Sequence, residues 1–94
     1  MLEVLDFVKM YLKALGISKN DLARYFGMKD SNLHKYLTGK RKLNSELVLK
    51  LSSFSRTKPE YWYRVQIKNE LYRLKKVHRI DYEKYDYENL LSFK

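Results

Sequence analysis

The chain has 94 residues, enough for one domain with a single core, and its Leu-, Lys- and Tyr-rich composition favours packed helices over a sandwich of strands. It has no cysteine, which excludes disulfides and thiolate metal sites, and no apolar run of membrane-spanning length, so we expect a cytoplasmic protein without a membrane partner. Its 20 basic and 11 acidic side chains give a net charge of +9, which attracts polyanions, although such a surface can also serve solubility alone.

The first two predicted helices follow from apolar spacing and from the residues that start and stop them. The first helix ends at Gly16, and its inward positions are Leu2, Leu5, Val8, Leu12 and Leu15. Ser18 starts the second helix, with Asp21 three residues later in a capping-box arrangement, and Gly27 stops it. Within this helix, Ala23 is small enough to let another helix cross closely.

The next two helices have equally clear signals. A short turn leads into a third helix over residues 30–37, which Leu33 and Leu37 anchor to the core and Gly39 closes. Asn44 caps a fourth helix.

The fifth helix begins at Pro59, reaches about Lys76 and carries apolar residues on two opposed stripes. One stripe consists of Tyr63, Ile67, Leu71 and Leu74, and the other of Tyr61, Trp62, Val65 and Tyr72. A small monomer needs one buried stripe per helix, so the second set is predicted to contact a partner, most simply a second copy. Alternatively, residues 78–94 of the same chain cover this second stripe.

Residues 78–94 differ from the rest in charge. They hold 3 basic and 4 acidic side chains, whereas residues 1–77 hold 17 and 7. The pattern does not decide between a short helix, a strand and a partly ordered tail. Its acidic residues, Asp81, Glu83, Asp86 and Glu88, suit a basic partner. A carboxylate pair for acid–base catalysis is disfavoured, because so short a chain offers little concave core to desolvate it.

The second and third helices are the candidate functional unit. If one side of the third helix is buried, its other side is exposed and fits the major groove of B-form DNA. The predicted base-reading residues are Ser31, Asn32, His34, Lys35 and Thr38, and the predicted phosphate contacts are Lys19, Lys29, Lys40, Arg41 and Lys42. The alternative is a generic helical hairpin with a solvated polar face.

The sequence gives little support for metal binding, catalysis or RNA binding. The two histidines, His34 and His78, lie far apart without evident co-ligands, so we expect neither a metal nor another cofactor. The chain has no glycine-rich phosphate loop and no nucleophile elbow, so we do not expect an enzyme. An RNA-binding module is disfavoured, because the narrow major groove of RNA does not admit a helix.

Two stretches resemble Xre/Cro-type helix-turn-helix domains, which are lambda-repressor-like: ISKNDLARYFGM at 17–28 and LHKYLTGKR at 33–41. The later PEYW at 59–62, followed by Val65 and Gln66, resembles the fifth helix of HigA-type plasmid-maintenance antitoxins. The resemblance implies a compact all-α five-helix DNA-binding domain over residues 1–77, with residues 78–94 as a short C-terminal extension.

The resemblance also implies a function. It indicates a nucleoid-associated homodimer that binds a palindromic operator in its own promoter and neutralises a small toxin encoded beside it. A free-standing or phage-type Xre-family regulator without a toxin is the first alternative. The second is a protein-interaction module that has lost DNA binding.

The sequence departs from the family pattern at three informative positions. Lys19 replaces the usual Gln, which substitutes a point charge for an amide contact. Lys29 replaces a Ser that commonly caps the recognition helix, so Asp30 is expected to take over that cap. His34 is less usual at its place and is expected to make DNA affinity weakly dependent on pH.

Overall fold

The computed structural model describes residues 2–93, and that range contains helices and loops but no strand. The all-α prediction is therefore confirmed. The first five α-helices are α1 (Val4–Leu15), α2 (Lys19–Tyr25), α3 (Asp30–Leu37), α4 (Ser45–Ser55) and α5 (Pro59–Tyr72). The chain continues through a π-helical segment (Arg73–Val77), a 3-10 turn (Glu83–Tyr85) and α6 (Tyr87–Phe93).

Three helices begin at the residues that the sequence predicts. The Ser18 hydroxyl accepts a hydrogen bond from the Asp21 N–H at 3.1 Å, and the Asp21 carboxylate accepts one from the Ser18 N–H at 3.1 Å. The Asn44 side chain accepts one from the Leu47 N–H at 2.8 Å, and Pro59 is the first residue of α5. Because these contacts satisfy or remove donors that the first turn leaves free, local residue choice sets the starts of α2, α4 and α5.

The turn between α2 and α3 depends on Gly27, whose φ of 73° lies in the left-handed region that side chains disfavour. The Met28 N–H then donates to the Ala23 carbonyl at 2.8 Å and closes α2. The prediction that Asp30 caps α3 is wrong. Lys29 occupies the cap without a side-chain hydrogen bond, and Asp30 is the first helical residue, because its carboxylate faces Lys19 instead.

The core lies where α1 to α5 meet. Leu33, Leu37, Leu51, Ala23 and Trp62 have no measurable exposure. The other buried apolar residues are Val4, Val8, Leu12, Leu22, Phe26, Leu43, Leu47, Val48 and Val65. The predicted inward face of α1 is only partly correct: its two ends, Leu2 and Leu15, are exposed. Leu2 precedes the helix, and Leu15 is its last residue, beyond the edge of the core.

The predicted partner face of α5 is wrong at its two central residues. Trp62 is fully buried and Val65 is 8% exposed, so neither is available to a second molecule. Tyr61 is half-buried against the core, and only Tyr72 is exposed. The apolar positions left open belong to the other stripe, because Ile67, Leu71 and Leu74 are 49%, 47% and 42% exposed. The helix packs through the stripe that the sequence assigned to a partner.

The chain beyond Val77 does not cover that open stripe. The large apolar side chains of this segment are all exposed, namely Ile80, Tyr82, Tyr85, Tyr87, Leu90, Leu91 and Phe93. The described chain measures 57 by 22 by 22 Å, so the segment extends the molecule along one axis. Within residues 2–93 no helix is sufficiently long and apolar to span a bilayer.

The α2 cap is expected to weaken in acid. Hydrogen bonds from Arg24 and then Ser18 lower the pKa of Asp21 from 3.8 to about 2. A carboxyl whose pKa is lower in the folded state stabilises the fold above its unfolded pKa of 3.8 and loses this contribution as pH falls through about 2. We expect Asp21→Asn to show a smaller drop in Tm between these two pH values than the native chain. Thermal melts followed by circular dichroism measure this, and an equal drop would contradict the assignment.

Candidate nucleic-acid interface

Helix α3 is held from one side. Leu33 and Leu37, both fully buried, anchor it against α1 and α2. Fully buried Ala23 has no side chain beyond its β-carbon, which allows α3 to approach α2 closely. Because successive helical residues turn by about 100°, the positions opposite the two leucines must face solvent. The packing therefore presents one polar face of α3 outward.

The predicted base-reading residues occupy that face and its two flanks. Ser31 and Lys35 are exposed and lie near its centre, and half-buried Thr38 is one turn further along. The Thr38 hydroxyl donates to the His34 carbonyl at 2.8 Å, which leaves its oxygen lone pairs as acceptors. Half-buried Asn32 and His34 lie on the opposite flanks of this face. The structure thus places four of the predicted residues on the accessible part of α3 and the fifth, Thr38, at its C-cap.

Lys19 has a contact that the sequence did not predict. Its ammonium lies 3.3 Å from the Asp30 carboxylate and donates to the His34 Nδ1 at 3.1 Å. The Lys19 side chain is 24% exposed. Because an Nδ1 that accepts a hydrogen bond leaves the ring proton on Nε2, His34 presents a donor on its other side. Lys19 therefore joins the start of α2 to α3 and orients His34, a role beyond the predicted phosphate contact.

The basic loop, residues 40–42, follows α3 directly. Lys40, Arg41 and Lys42 are all exposed, as is Lys29 at the other end of the helix. The Arg41 N–H donates to the Lys35 carbonyl at 3.1 Å, and its guanidinium lies 5.9 Å from the centre of the Tyr36 ring. These contacts hold the cations beside the exposed face of α3, where phosphates flanking a bound groove would lie.

Gln66 anchors the far end of this loop. Its side-chain oxygen accepts a hydrogen bond from the Leu43 N–H at 2.5 Å, which ties the loop to α5. The Asn44 amide also contacts the Tyr36 hydroxyl at 3.4 Å. The sequence marked Gln66 through its resemblance alone, and no local pattern indicates a partner 23 residues away. The structure assigns it a role in positioning the basic loop.

Arg73 supports the end of α3 from the π-helical segment. Its guanidinium donates to the Glu3 carboxylate at 2.6 Å and packs against Gly39. A β-carbon at Gly39 would lie 2.8 Å from Arg73 Nη1, and the φ of Gly39 is 82°. The backbone conformation therefore favours glycine there, and a β-carbon would in addition displace the end of the Arg73 side chain. Sequence reasoning missed this contact, because Glu3 and Arg73 are 70 residues apart.

Comparison with known protein families agrees with this geometry. A family model described as "Helix-turn-helix" matches residues 8–62, more than half of the chain. The chain belongs to the Xre/Cro-type helix-turn-helix family. The matched range contains α2, the turn at Gly27, α3 and the basic loop. This helix-turn-helix protein is therefore a DNA-binding transcription regulator, and its predicted fold class is confirmed.

No curated protein and no solved structure is significantly similar to the chain. The helix-turn-helix family consists of DNA-binding regulator domains that are not typically enzymes. Among residues 2–93, no group of three His, Cys, Asp or Glu side chains is placed to hold a metal ion.

Proposed function

We propose that this helix-turn-helix protein is a sequence-specific repressor that binds a palindromic operator in its own promoter as a homodimer. The observation that carries the proposal is the exposed polar face of α3 beside an exposed basic loop. Base edges can be reached from Ser31, Asn32, His34 and Lys35, and the cations that flank them provide contacts to phosphates. The remote bonds of Gln66 and Arg73 support a preorganised site.

The homodimer follows from the size of the reading surface. One α3 of eight residues reaches only a few base pairs, which specifies an operator weakly. Two copies related by a two-fold axis place two such helices about one turn of DNA, or 34–36 Å, apart. The palindrome of the proposed operator is the DNA counterpart of that symmetry. The exposed stripe of Ile67, Leu71 and Leu74 supplies apolar surface outside the α2–α3 pair for protein contacts.

A second part of the proposal is that the protein acts as the antitoxin of a type II toxin–antitoxin pair. It is supported by the resemblance at residues 59–66 and by the amount of apolar surface left exposed beyond α3. Two residues of this motif also have roles in the fold, since Trp62 fills the core and Gln66 anchors the basic loop. A free-standing regulator with no toxin is accordingly the alternative to test against.

The test of DNA binding uses duplexes from the region upstream of the protein's own gene. Binding should prefer an inverted repeat over a scrambled duplex of equal length, and the affinity should fall steeply as salt rises. Footprinting at single-nucleotide resolution should show two protected half-sites about 10 base pairs apart. Equal affinity for all duplexes at every salt concentration would contradict the sequence-specific repressor.

Two substitutions separate base reading from phosphate contact. Asn32→Ala is expected to cost about 1–3 kcal/mol on the native operator and to relax specificity at one base pair, because asparagine can bond adenine through two atoms. Arg41→Ala is expected to weaken binding to all sequences and to lower the salt dependence. Competition binding against every single-base variant of one half-site measures both effects. If the two variants behaved alike, the division of roles would be wrong.

The antitoxin proposal is tested by co-purification. The protein is expressed from its native operon with its neighbouring genes, and only this protein carries a tag. A stoichiometric small partner that is lethal when expressed alone supports the antitoxin. Recovery of a homodimer without such a partner, still able to shift its promoter fragment, contradicts the antitoxin and supports the free-standing regulator.

A further inference from the structure

Residues 81–93 form an arm whose large apolar side chains are all exposed, although the Lys75 ammonium lies 4.8 Å from the centre of the Tyr82 ring. Tyr85 is 74% exposed, Tyr87 71% and Phe93 88%, and the two leucines of α6 are 61% and 63% exposed. Aromatic residues bury roughly 150–250 Å² each when they pack. Burying the exposed side chains of the arm against a partner would therefore give a large favourable hydrophobic free energy. An apolar surface of this size in a small protein marks an interaction site.

A groove of matching character lies between α1 and α5. Its volume is about 800 Å³, and its floor includes Phe7 and Tyr61, whose ring centroids are 6.0 Å apart. Leu2 and Ile67, 56% and 49% exposed, widen the apolar lining. We call this the α1–α5 groove. Ile67 lines the groove and also belongs to the exposed stripe of Ile67, Leu71 and Leu74, so the groove and the stripe meet at this residue.

The arm and the groove have opposite charges. The arm has four carboxylates and one lysine, a net charge of −3. The charged residues that line the groove are Glu60, Arg64 and Lys68, a net charge of +1, and both cations are exposed. Residues 1–77 as a whole carry +10, so an acidic segment between two copies reduces the repulsion between them.

We propose that the arm of one copy lies in the α1–α5 groove of a second copy, and that the dimer forms by exchange of two arms. The arm begins beyond the π-helical segment, roughly 14 Å further along the helix axis than Lys68, and its exposed apolar side chains are not seated in its own groove. Reciprocal exchange about a two-fold axis closes after two copies. Four aromatic rings in each arm bring the buried area to the ~1,600 Å² typical of specific interfaces.

This inference rests on the proposed homodimer and identifies its interface. The test uses the full chain and two double variants. The groove variant is Arg64→Glu with Lys68→Glu, and the arm variant is Glu83→Lys with Glu88→Lys. Asp86 is left unchanged because its carboxylate accepts a hydrogen bond from the Asn89 N–H at 2.8 Å and caps α6. Sedimentation equilibrium measures the dimer dissociation constant of each protein, and circular dichroism verifies that each one folds.

Each variant alone is expected to weaken the dimer by tenfold or more, because both of its arm–groove contacts bring like charges together. An equimolar mixture of the two variants is expected to restore dimers. In that mixed dimer, the native arm meets the native groove, and the reversed arm meets the reversed groove. A control with Lys9→Glu and Lys13→Glu makes the same charge change on exposed α1 residues outside the groove and should leave the dissociation constant within twofold.

The outcomes separate the two proposals. A native dimer that neither variant weakens would overturn the arm exchange and leave the homodimer intact. Weakening by each variant without restoration in the mixture would show that the arm and the groove do not pair with each other between copies, and would also overturn the exchange. A native chain that stays monomeric at every concentration would overturn the homodimer itself. Mass excess from a bound toxin is excluded because the experiment contains purified chain alone.

Discussion

Trp62→Ala is expected to lower the free energy of unfolding by roughly 3–5 kcal/mol. The indole is fully buried at the centre of the core, with ring centroids 5.0 Å from Tyr61 and 6.3 Å from Tyr11. Removing it leaves a cavity between α1 and α5 that the backbone can fill only in part. For a domain of this size such a loss is a large fraction of the total stability. Urea denaturation followed by circular dichroism measures it.

Two further variants make the result interpretable. Tyr72→Ala removes an exposed side chain from the same helix and is expected to change stability by less than about 0.5 kcal/mol. Trp62→Phe should cost less than Trp62→Ala, since it keeps a large ring and removes the indole Nε1 donor, which has no hydrogen-bond partner among the described residues. Had the sequence-based assignment of Trp62 to a partner surface been right, Trp62→Ala would change the oligomeric mass and not the stability.

Replacing all three cations of the basic loop with glutamine is expected to have the largest effect on DNA binding. Lys40, Arg41 and Lys42 are exposed beside the reading face of α3. Each phosphate contact contributes about 0.9 to the slope of log affinity against log salt. The triple variant should therefore show a slope shallower by about 2–3, with affinity lost equally for specific and non-specific duplexes. Salt titrations by fluorescence anisotropy give the slope directly.

The matched control removes the same charge from elsewhere. Lys9, Lys13 and Lys58 are equally exposed but lie outside the α2–α3 pair and its loop. Their replacement by glutamine lowers the net charge by the same amount and should change the slope by well under one unit. If the control lowered the slope as much as the loop variant does, net charge rather than the position of the basic loop would govern DNA affinity.

The starts of α2, α4 and α5 were predictable because their causes are local, whereas α5 was predicted to reach about Lys76 and ends as an α-helix at Tyr72, before the π-helical segment. Ser18 and Asp21 are three residues apart and bond each other, and Gly27 adopts a φ that few other residues tolerate. The same applies to the inward leucines of α3, since a single apolar stripe on a short helix has only one side to bury. Local hydrogen bonds and periodicity therefore predicted the α2–α3 pair and its exposed face.

The orientation of α5 could not be obtained in this way. The helix has apolar residues on both sides, and the side that packs inward also includes a buried polar residue, Asn69. Periodicity locates both stripes but does not show which one is buried. That depends on which stripe fits the space that α1 and α4 leave for the side chains of α5. The wide side chain of Trp62 fills that space, and Ile67 and Leu71 are left outside.

By itself, the sequence determined the all-α class, the starts of α2, α4 and α5 and the polar face of α3, because each depends on residues within about one or two turns of one another. Only the tertiary structure decided how that face is held. The bonds from Lys19 to His34, from Leu43 to Gln66 and from Arg73 to Glu3 join residues 15, 23 and 70 positions apart. Such contacts exist only once the core has brought distant segments together, so no local pattern encodes them.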